Sequence, residues 1–213
     1  FNLKVEALDA INQQLAKAGQ TTDDDNKYGQ KFAHISTLNH DINQVFLTEL
    51  VTNQQAIITS NNQLNNDITP SIIEEIGSIA DQAEIDELAD TMNTANEMSA
   101  AVMNARSAMQ NYILSQSSGD ADRFDFEIES ARSLYDDLQD TASSEDFADS
   151  MANVEKLLNQ LSDKFTETRQ YFDNSQQIMT TKLTPDVQQV LQTIDELQQS
   201  IWASLDSNGE AVS

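Results

Sequence analysis

Hydrophobic residues recur every three or four positions along most of this chain, and short polar runs separate the repeats. This spacing places them on one side of an α-helix, whereas a half-buried β-strand would need alternation at every second position. Gly19 and the polar run 20–26 end the first repeat, and the run 117–120 ends another. The pattern predicts six helices, within 1–18, 32–66, 70–113, 124–138, 147–179 and 187–205.

Both prolines of the chain follow a threonine, in the pairs Thr69-Pro70 and Thr184-Pro185. Threonine is a common N-cap of helices, and proline is favoured at the first helical position because its missing N–H has no intrahelical acceptor there. We therefore expect a helix to begin at each proline. The similar surroundings of the two pairs also indicate a faint internal repeat.

The predicted helices are long, since two or three of them cover roughly 35 to 40 residues at about 1.5 Å per residue. Such helices exceed the width of a compact globule, which favours an elongated all-α protein of six helices. The composition agrees, with only 5 glycines and 2 prolines in 213 residues. The chain starts without methionine and has no apolar run of 18 residues, so we expect it to be a portion of a longer protein without a membrane span of its own.

Charge excludes some classes of partner. The chain has 36 acidic residues, 11 lysines and arginines and a formal net charge of -25. Neutralising phosphate groups requires clustered basic residues, so we expect no nucleic-acid partner and no docking to an anionic membrane surface. The acidic residues are interpreted as a solvated outer surface.

The residues needed for catalysis or metal binding are scarce. The chain has no cysteine, and its two histidines, His34 and His40, are six positions apart, which places them on different faces of one helix. Phosphate-binding, nucleophile-elbow and zinc-protease motifs do not occur. We therefore expect no enzyme activity, no metal and no cofactor.

One predicted seam carries a cation. From Ile85 to Ile113 the apolar positions step by three and four residues, and this step also places Arg106 in the seam. Buried arginine needs an anionic partner, either a carboxylate of the protein or a bound anion. Residues on the same helix face, together with a polar interruption of the helix 147–179, suggest a pocket for an organic acid lined by Ser99, Arg106, Met109, Tyr112, Thr168 and Arg169.

A structural role explains these residues equally well. Arg106 can reach the helix boundary and pair with an acidic residue, while Met109 and Tyr112 can be ordinary core residues. A polar pair inside a helical protein can also serve only to set the register of its helices.

The stretch Ala105-Arg106-Ser107-Ala108-Met109-Gln110-Asn111-Tyr112-Ile113-Leu114, followed by Ser118-Gly119-Asp120, resembles the helical bimodular sensor domain of bacterial chemoreceptors. The segment 161–165, with the Gln-rich helix, proline and last helix after it, is also similar to that family. The resemblance implies two stacked four-helix bundles that share long helices. It implies a membrane-proximal module of about 1–50 and 170–213 and a membrane-distal module of about 51–169, in a periplasmic domain between two membrane helices. The family's proximal organic-acid site would need arginines near the chain start and in the last helix, where this sequence has none.

The resulting functional prediction is the extracytoplasmic ligand-binding domain of a methyl-accepting chemotaxis protein, located in the periplasm as part of an inner-membrane protein. Its expected partners are a small organic acid or similar anion, a second copy in a homodimer, and possible docking of a periplasmic binding protein. Two alternatives stay open: the sensor domain of a histidine kinase, and a structural helical-bundle protein that binds no small ligand.

Overall fold

The computed structural model describes residues 27–142 and 145–210, and these residues form helices and turns without a β-strand among them. The predicted all-α class is confirmed. The predicted helix over 1–18 and the acidic loop 20–26 lie outside the described residues.

The helices of the described residues are joined in two ways. Three π segments, Phe46–Leu50, Gln63–Ile68 and Met179–Leu183, continue one helix into the next without a break, and a 3₁₀ turn at Glu145–Phe147 precedes one helix. We number the α-helices α1 (Lys27–Val45), α2 (Val51–Asn62), α3 (Thr69–Ile85), α4 (Ala89–Ser115), α5 (Ser118–Thr141), α6 (Ala148–Ile178) and α7 (Thr184–Glu210). The described residues thus contain four uninterrupted helices, whereas the pattern predicts five for this part of the chain.

The two Thr-Pro pairs do not begin new helices, which corrects the expectation above. Thr69 is itself helical, and both its backbone N–H and its hydroxyl, at 2.6 Å, donate to the carbonyl of Leu64 five residues earlier. Thr184 uses the carbonyl of Met179 in the same way, at 2.8 Å from its hydroxyl. Proline normally clashes with the carbonyl four residues before it, and the wider π turn relieves this clash while the helix continues.

The break that the pattern misses lies between α3 and α4. Glu87 adopts a left-handed conformation with φ 59°, the N–H of Leu88 donates to the carbonyl of Ala83 at 2.7 Å, and that of Glu87 donates to Glu84 at 3.2 Å. This pair of bonds is a Schellman motif, which usually has glycine at the left-handed position. Because glutamate occupies that position, the sequence lacks the usual stop signal.

The buried seam of α4 is rotated by one residue from the predicted one. The buried positions are Thr91, Ala95, Met98, Ala101, Val102, Ala105, Ala108, Met109 and Tyr112. Ser99 and Arg106 are only half-buried, at the edge of this seam. Alanine is often fully buried although it contributes little to a hydrophobic pattern, so Ala105 takes the central position next to Arg106.

The chain divides into two compact units. Unit 1 comprises the described residues 27–53 and 173–210, and unit 2 comprises Gln54–Phe172, of which 143–144 are not described. These limits lie close to those of the two predicted modules. The membrane-proximal and membrane-distal roles of the modules stay predictions.

Unit 2 packs four helical stretches around one core. The stretches are 54–85, α4, α5 and the part of α6 up to 172, and each contributes buried apolar side chains to the same cluster. Phe124, Phe147 and Phe165 are among the largest fully buried side chains. The predicted apolar stripe of α5, from Phe124 through Leu138, is buried as expected.

Within unit 1, α1 packs against α7. Ile35 and Leu38 of α1 are buried, as are Thr193 and Leu197 of α7. A salt bridge joins Lys31 to Glu196 at 2.6 Å beside this contact. None of the described helices is both long and apolar enough to cross a membrane.

Candidate functional site

The six residues predicted to bind a ligand all lie in unit 2. Met109, Tyr112 and Thr168 are buried, while Ser99, Arg106 and Arg169 are half-buried. For five of them, all but Ser99, the contacts described below show how the side chain is held within the protein. Their role in ligand binding stays a prediction.

Arg106 bonds to the second π segment. Its Nε donates to Oδ1 of Asn65 at 3.2 Å, and its Nη2 donates to the backbone carbonyl of Asn65 at 3.4 Å. No carboxylate of the described residues lies within 4.0 Å of its guanidinium. A guanidinium has five N–H groups, so three of those of Arg106 have no acceptor among the described residues.

Asn65 is the centre of a small polar network. Its Oδ1 also accepts a hydrogen bond from Gln110 Nε2 at 2.7 Å, and its Nδ2 donates to the carbonyl of Asn61 at 3.0 Å. Arg106 and Gln110 are four residues apart on α4, so they face Asn65 from the same side of that helix. The network therefore ties α4 to the helical stretch that contains the π segment.

The carbonyl of Asn65 is available because of Pro70. In the π segment, Thr69 donates its backbone N–H to the residue five positions earlier, Leu64. The next donor in that pattern would be residue 70, and proline has no N–H. A buried or half-buried carbonyl without a partner is costly, and the Arg106 guanidinium supplies one.

A buried hydroxyl pair joins α2 to α6 in unit 2. The Ser60 and Thr168 hydroxyl oxygens are 2.7 Å apart, and Thr168 Oγ1 donates to the carbonyl of Lys164 at 2.8 Å. Since the Thr168 proton is used there, Ser60 is the donor to Thr168. Both side chains are nearly inaccessible to solvent, so the pair satisfies polar groups that would otherwise be buried alone.

Arg169 faces a different helix from Arg106. Its Nη1 lies 3.0 Å from Oδ2 of Asp125 on α5, and its guanidinium carbon lies 5.9 Å from the centre of the Phe165 ring. This arrangement is the ordinary partly exposed ion pair over an aromatic ring. The two arginines of the predicted pocket therefore have separate partners, Asn65 and Asp125.

Tyr112 belongs to an aromatic cluster. Its ring makes edge-to-face contacts with Phe165 at 5.3 Å and with Phe172 at 5.7 Å between ring centres, and Phe165 also packs on Phe124 at 4.0 Å. Met109 is buried in the same core cluster as Tyr112 and Phe165. Core packing accounts for the positions of Met109 and Tyr112.

A cleft of about 480 Å³ lies between the second π segment and α6. Three carboxylates line it together with a single ammonium group, that of Lys164, which contacts Glu167 Oε2 at 2.6 Å. Glu167 also accepts a hydrogen bond from the Tyr171 hydroxyl at 2.8 Å. The bonds from Lys164 and Tyr171 lower the pKa of Glu167, and the bond to Glu167 raises the pKa of Tyr171.

Histidine and acidic side chains are the possible metal ligands of this cysteine-free chain. Among the described residues, no group of three or more histidine, aspartate or glutamate side chains is arranged to hold a metal ion. His34 and His40 are both exposed, and His34 Nε2 lies 3.3 Å from Gln189 Nε2.

Asn65 and Gln110 are the residues of this site that the sequence pattern does not single out. Two signals could have found them: Gln110 follows Arg106 by four positions, and Asn65 precedes Pro70 by five. Comparison with known protein families, with curated proteins and with solved structures finds no match to this chain.

Proposed function

We propose that this chain is the extracytoplasmic ligand-binding domain of a transmembrane receptor of the chemoreceptor type, and that it binds a small organic acid at Arg106. The main support for this proposal comes from the contacts of the Arg106 guanidinium. Its cation is half-buried between helices, and among the described residues its hydrogen-bond acceptors are the neutral oxygens of Asn65.

An anion would be a better acceptor than Asn65. A carboxylate carries a full negative charge and can accept two N–H groups of a guanidinium side by side, whereas the acceptors of Asn65 are neutral. Lys31, Arg123, Lys164, Arg169 and Lys182 each contact a carboxylate of the protein. Arg132 donates to Asn159 but shares its cleft with Glu129, Asp136 and Glu155, whose carboxylates disfavour an anion from outside. Arg106 has N–H groups left over for a carboxylate from outside.

Binding at Arg106 would also provide a route to helix displacement. A carboxylate that takes the guanidinium away from Asn65 removes two of the three hydrogen bonds that tie α4 to Asn65 of the second π segment and leaves the one from Gln110. That segment runs directly into α3, so the start of α3 would shift relative to α4. Small shifts between packed helices are a common form of signal in receptors, and the ligand must favour the shifted state to produce one.

The rest of the proposal follows the family resemblance. It comprises six helices in two stacked four-helix bundles that share long helices, a membrane-proximal module of about 1–50 and 170–213, a membrane-distal module of about 51–169, flanking membrane helices, a periplasmic location and a homodimer. The all-helical fold and the two compact units are compatible with this arrangement. A histidine-kinase sensor domain would have the same properties.

The test is a thermal-shift panel of acetate, pyruvate, succinate, L-malate and citrate on three proteins: wild type, Arg106→Gln and Arg132→Gln. Arg132 is a matched control, since it is a half-buried arginine of unit 2 that donates to an asparagine, Asn159, at 3.2 Å. At a hundredfold excess over the dissociation constant, a bound acid adds about 2.7 kcal/mol, or about 5 to 10 °C in Tm.

We expect at least one acid to stabilise wild type and Arg132→Gln but not Arg106→Gln. An equal shift in all three proteins would place the anion elsewhere and refute the Arg106 site. If no acid stabilises the wild type, a pull-down with periplasmic extract separates the two remaining cases. Capture of a binding protein would indicate an indirect sensor, and no capture would favour a structural helical protein.

A further inference from the structure

A second cleft, of about 450 Å³, lies within unit 1 and has a chemistry unlike that of Arg106. One wall is formed by the first π segment and the start of α2, and the other by the end of α6 and the third π segment. We infer that this cleft binds a free α-amino acid with a polar side chain, as its zwitterion. The inference does not depend on the proposed function at Arg106.

One ion pair supplies the charged groups of the cleft. Lys182, in the third π segment, contacts both carboxylate oxygens of Glu49, in the first π segment, at 2.6 and 2.7 Å. The two side chains are 48% and 36% exposed, respectively. Exposed ion pairs of this kind contribute little to stability, so a ligand can open the pair at low cost.

The remaining lining is neutral and polar, apart from Ile178. The carboxamides of Asn53, Asn174 and Gln177 have no hydrogen-bond partner among the described residues, and each offers both a donor and an acceptor. They are suited to a side chain that itself carries a hydroxyl or an amide.

The threonine hydroxyls of the cleft are oriented by their own helices. Thr48, Thr52 and Thr181 donate to the carbonyls of Gln44, Thr48 and Gln177, at 2.6, 2.6 and 2.7 Å. Their protons are therefore occupied, and their oxygens are left as acceptors. Acceptors of this kind suit an ammonium group.

The charge balance of the lining selects a zwitterion. An anion alone would bind Lys182 but would meet the carboxylate of Glu49, and a cation alone would bind Glu49 but would meet the ammonium of Lys182. An α-amino acid places its carboxylate on Lys182 and its ammonium on Glu49, so each charge keeps an opposite partner. Volumes of this size are within the range of small-molecule sites.

Isothermal titration calorimetry of the full chain tests the inference with L-serine, L-threonine, L-asparagine and L-glutamine. The charge requirement is tested on the wild type with two analogues of whichever amino acid binds most tightly: its N-acetyl derivative, which lacks the ammonium, and its α-amide, which lacks the carboxylate. We expect at least one of the four amino acids to bind and both of its analogues to bind about tenfold more weakly, or not at all.

The variants are Lys182→Gln and Glu49→Gln, with Lys31→Gln as the matched control because it breaks another surface ion pair of unit 1. Binding should weaken about tenfold or more in the first two variants and should be unchanged in Lys31→Gln and in Arg106→Gln. Three results would each overturn the inference: no binding of any of the four amino acids to wild type, equal binding of a charge-deleted analogue, or unchanged binding by Lys182→Gln.

Discussion

Replacing Thr168 by valine tests the buried hydroxyl pair of unit 2. The two side chains have nearly the same shape, so the change removes one hydroxyl without opening a cavity. Ser60 then loses its 2.7 Å acceptor and retains only the carbonyl of Lys164, at 3.4 Å. Because the Ser60 side chain is 3% exposed, water cannot replace the lost bond.

Thr168→Val should lower the free energy of unfolding by about 1 to 3 kcal/mol, which is the cost of leaving a buried hydroxyl without a good partner. Ser60→Ala should lower the free energy of unfolding by less. Thr168 then still donates to the Lys164 carbonyl at 2.8 Å, and it loses only the hydrogen bond that its oxygen accepts from Ser60. The double variant Ser60→Ala with Thr168→Val has neither hydroxyl. Its loss of unfolding free energy should therefore be about 1 kcal/mol smaller than the sum of the losses in the two single variants.

The assay is urea unfolding of all four proteins, monitored by the helical circular dichroism signal, with the slope of each transition compared to check that one unfolding reaction is measured. A variant that loses stability with an unchanged slope gives the double-mutant cycle directly. Additive losses within about 0.3 kcal/mol would show that the two hydroxyls do not interact, and the reasoning would then be wrong.

Two further predictions concern a backbone position and a titrating group. Glu87→Gly should raise the stability of unit 2 by roughly 0.5 to 1 kcal/mol, since φ 59° strains glutamate but not glycine. A lower urea midpoint would contradict this. Lys164 and Tyr171 lower the pKa of Glu167 in the folded protein from its usual value of 4.5. The ionised carboxylate therefore contributes its full stabilisation at pH values above the usual pKa, and this stabilisation is lost as the pH falls through the lower folded-state pKa. Glu167→Gln should therefore be less stable than wild type at pH 7, with a difference that shrinks toward pH 3, and a difference independent of pH would contradict the assignment.

The candidate site was only partly predictable from the sequence. The predicted seam correctly includes Ala95, Val102 and Met109, but it places Arg106 among the buried positions, whereas that side chain is half-buried at the edge of the seam. The partners of the two arginines were not predictable, because Asn65 and Asp125 are distant from them along the chain. A hydrogen bond between residues 41 or 44 positions apart depends on how the helices pack.

Local periodicity determined the helical class and the buried faces of α5 and of α6 up to Thr168, because apolar spacing within one helix depends on that helix alone. Tertiary structure decided the features that depend on neighbouring helices. In the packed protein Ala105, and not the adjacent Arg106, occupies the centre of the α4 seam, although the helical spacing of apolar residues allows either position. Tertiary structure also kept the helix continuous past Pro70 and Pro185, since a π segment before each proline widens the backbone by one residue and avoids the proline clash.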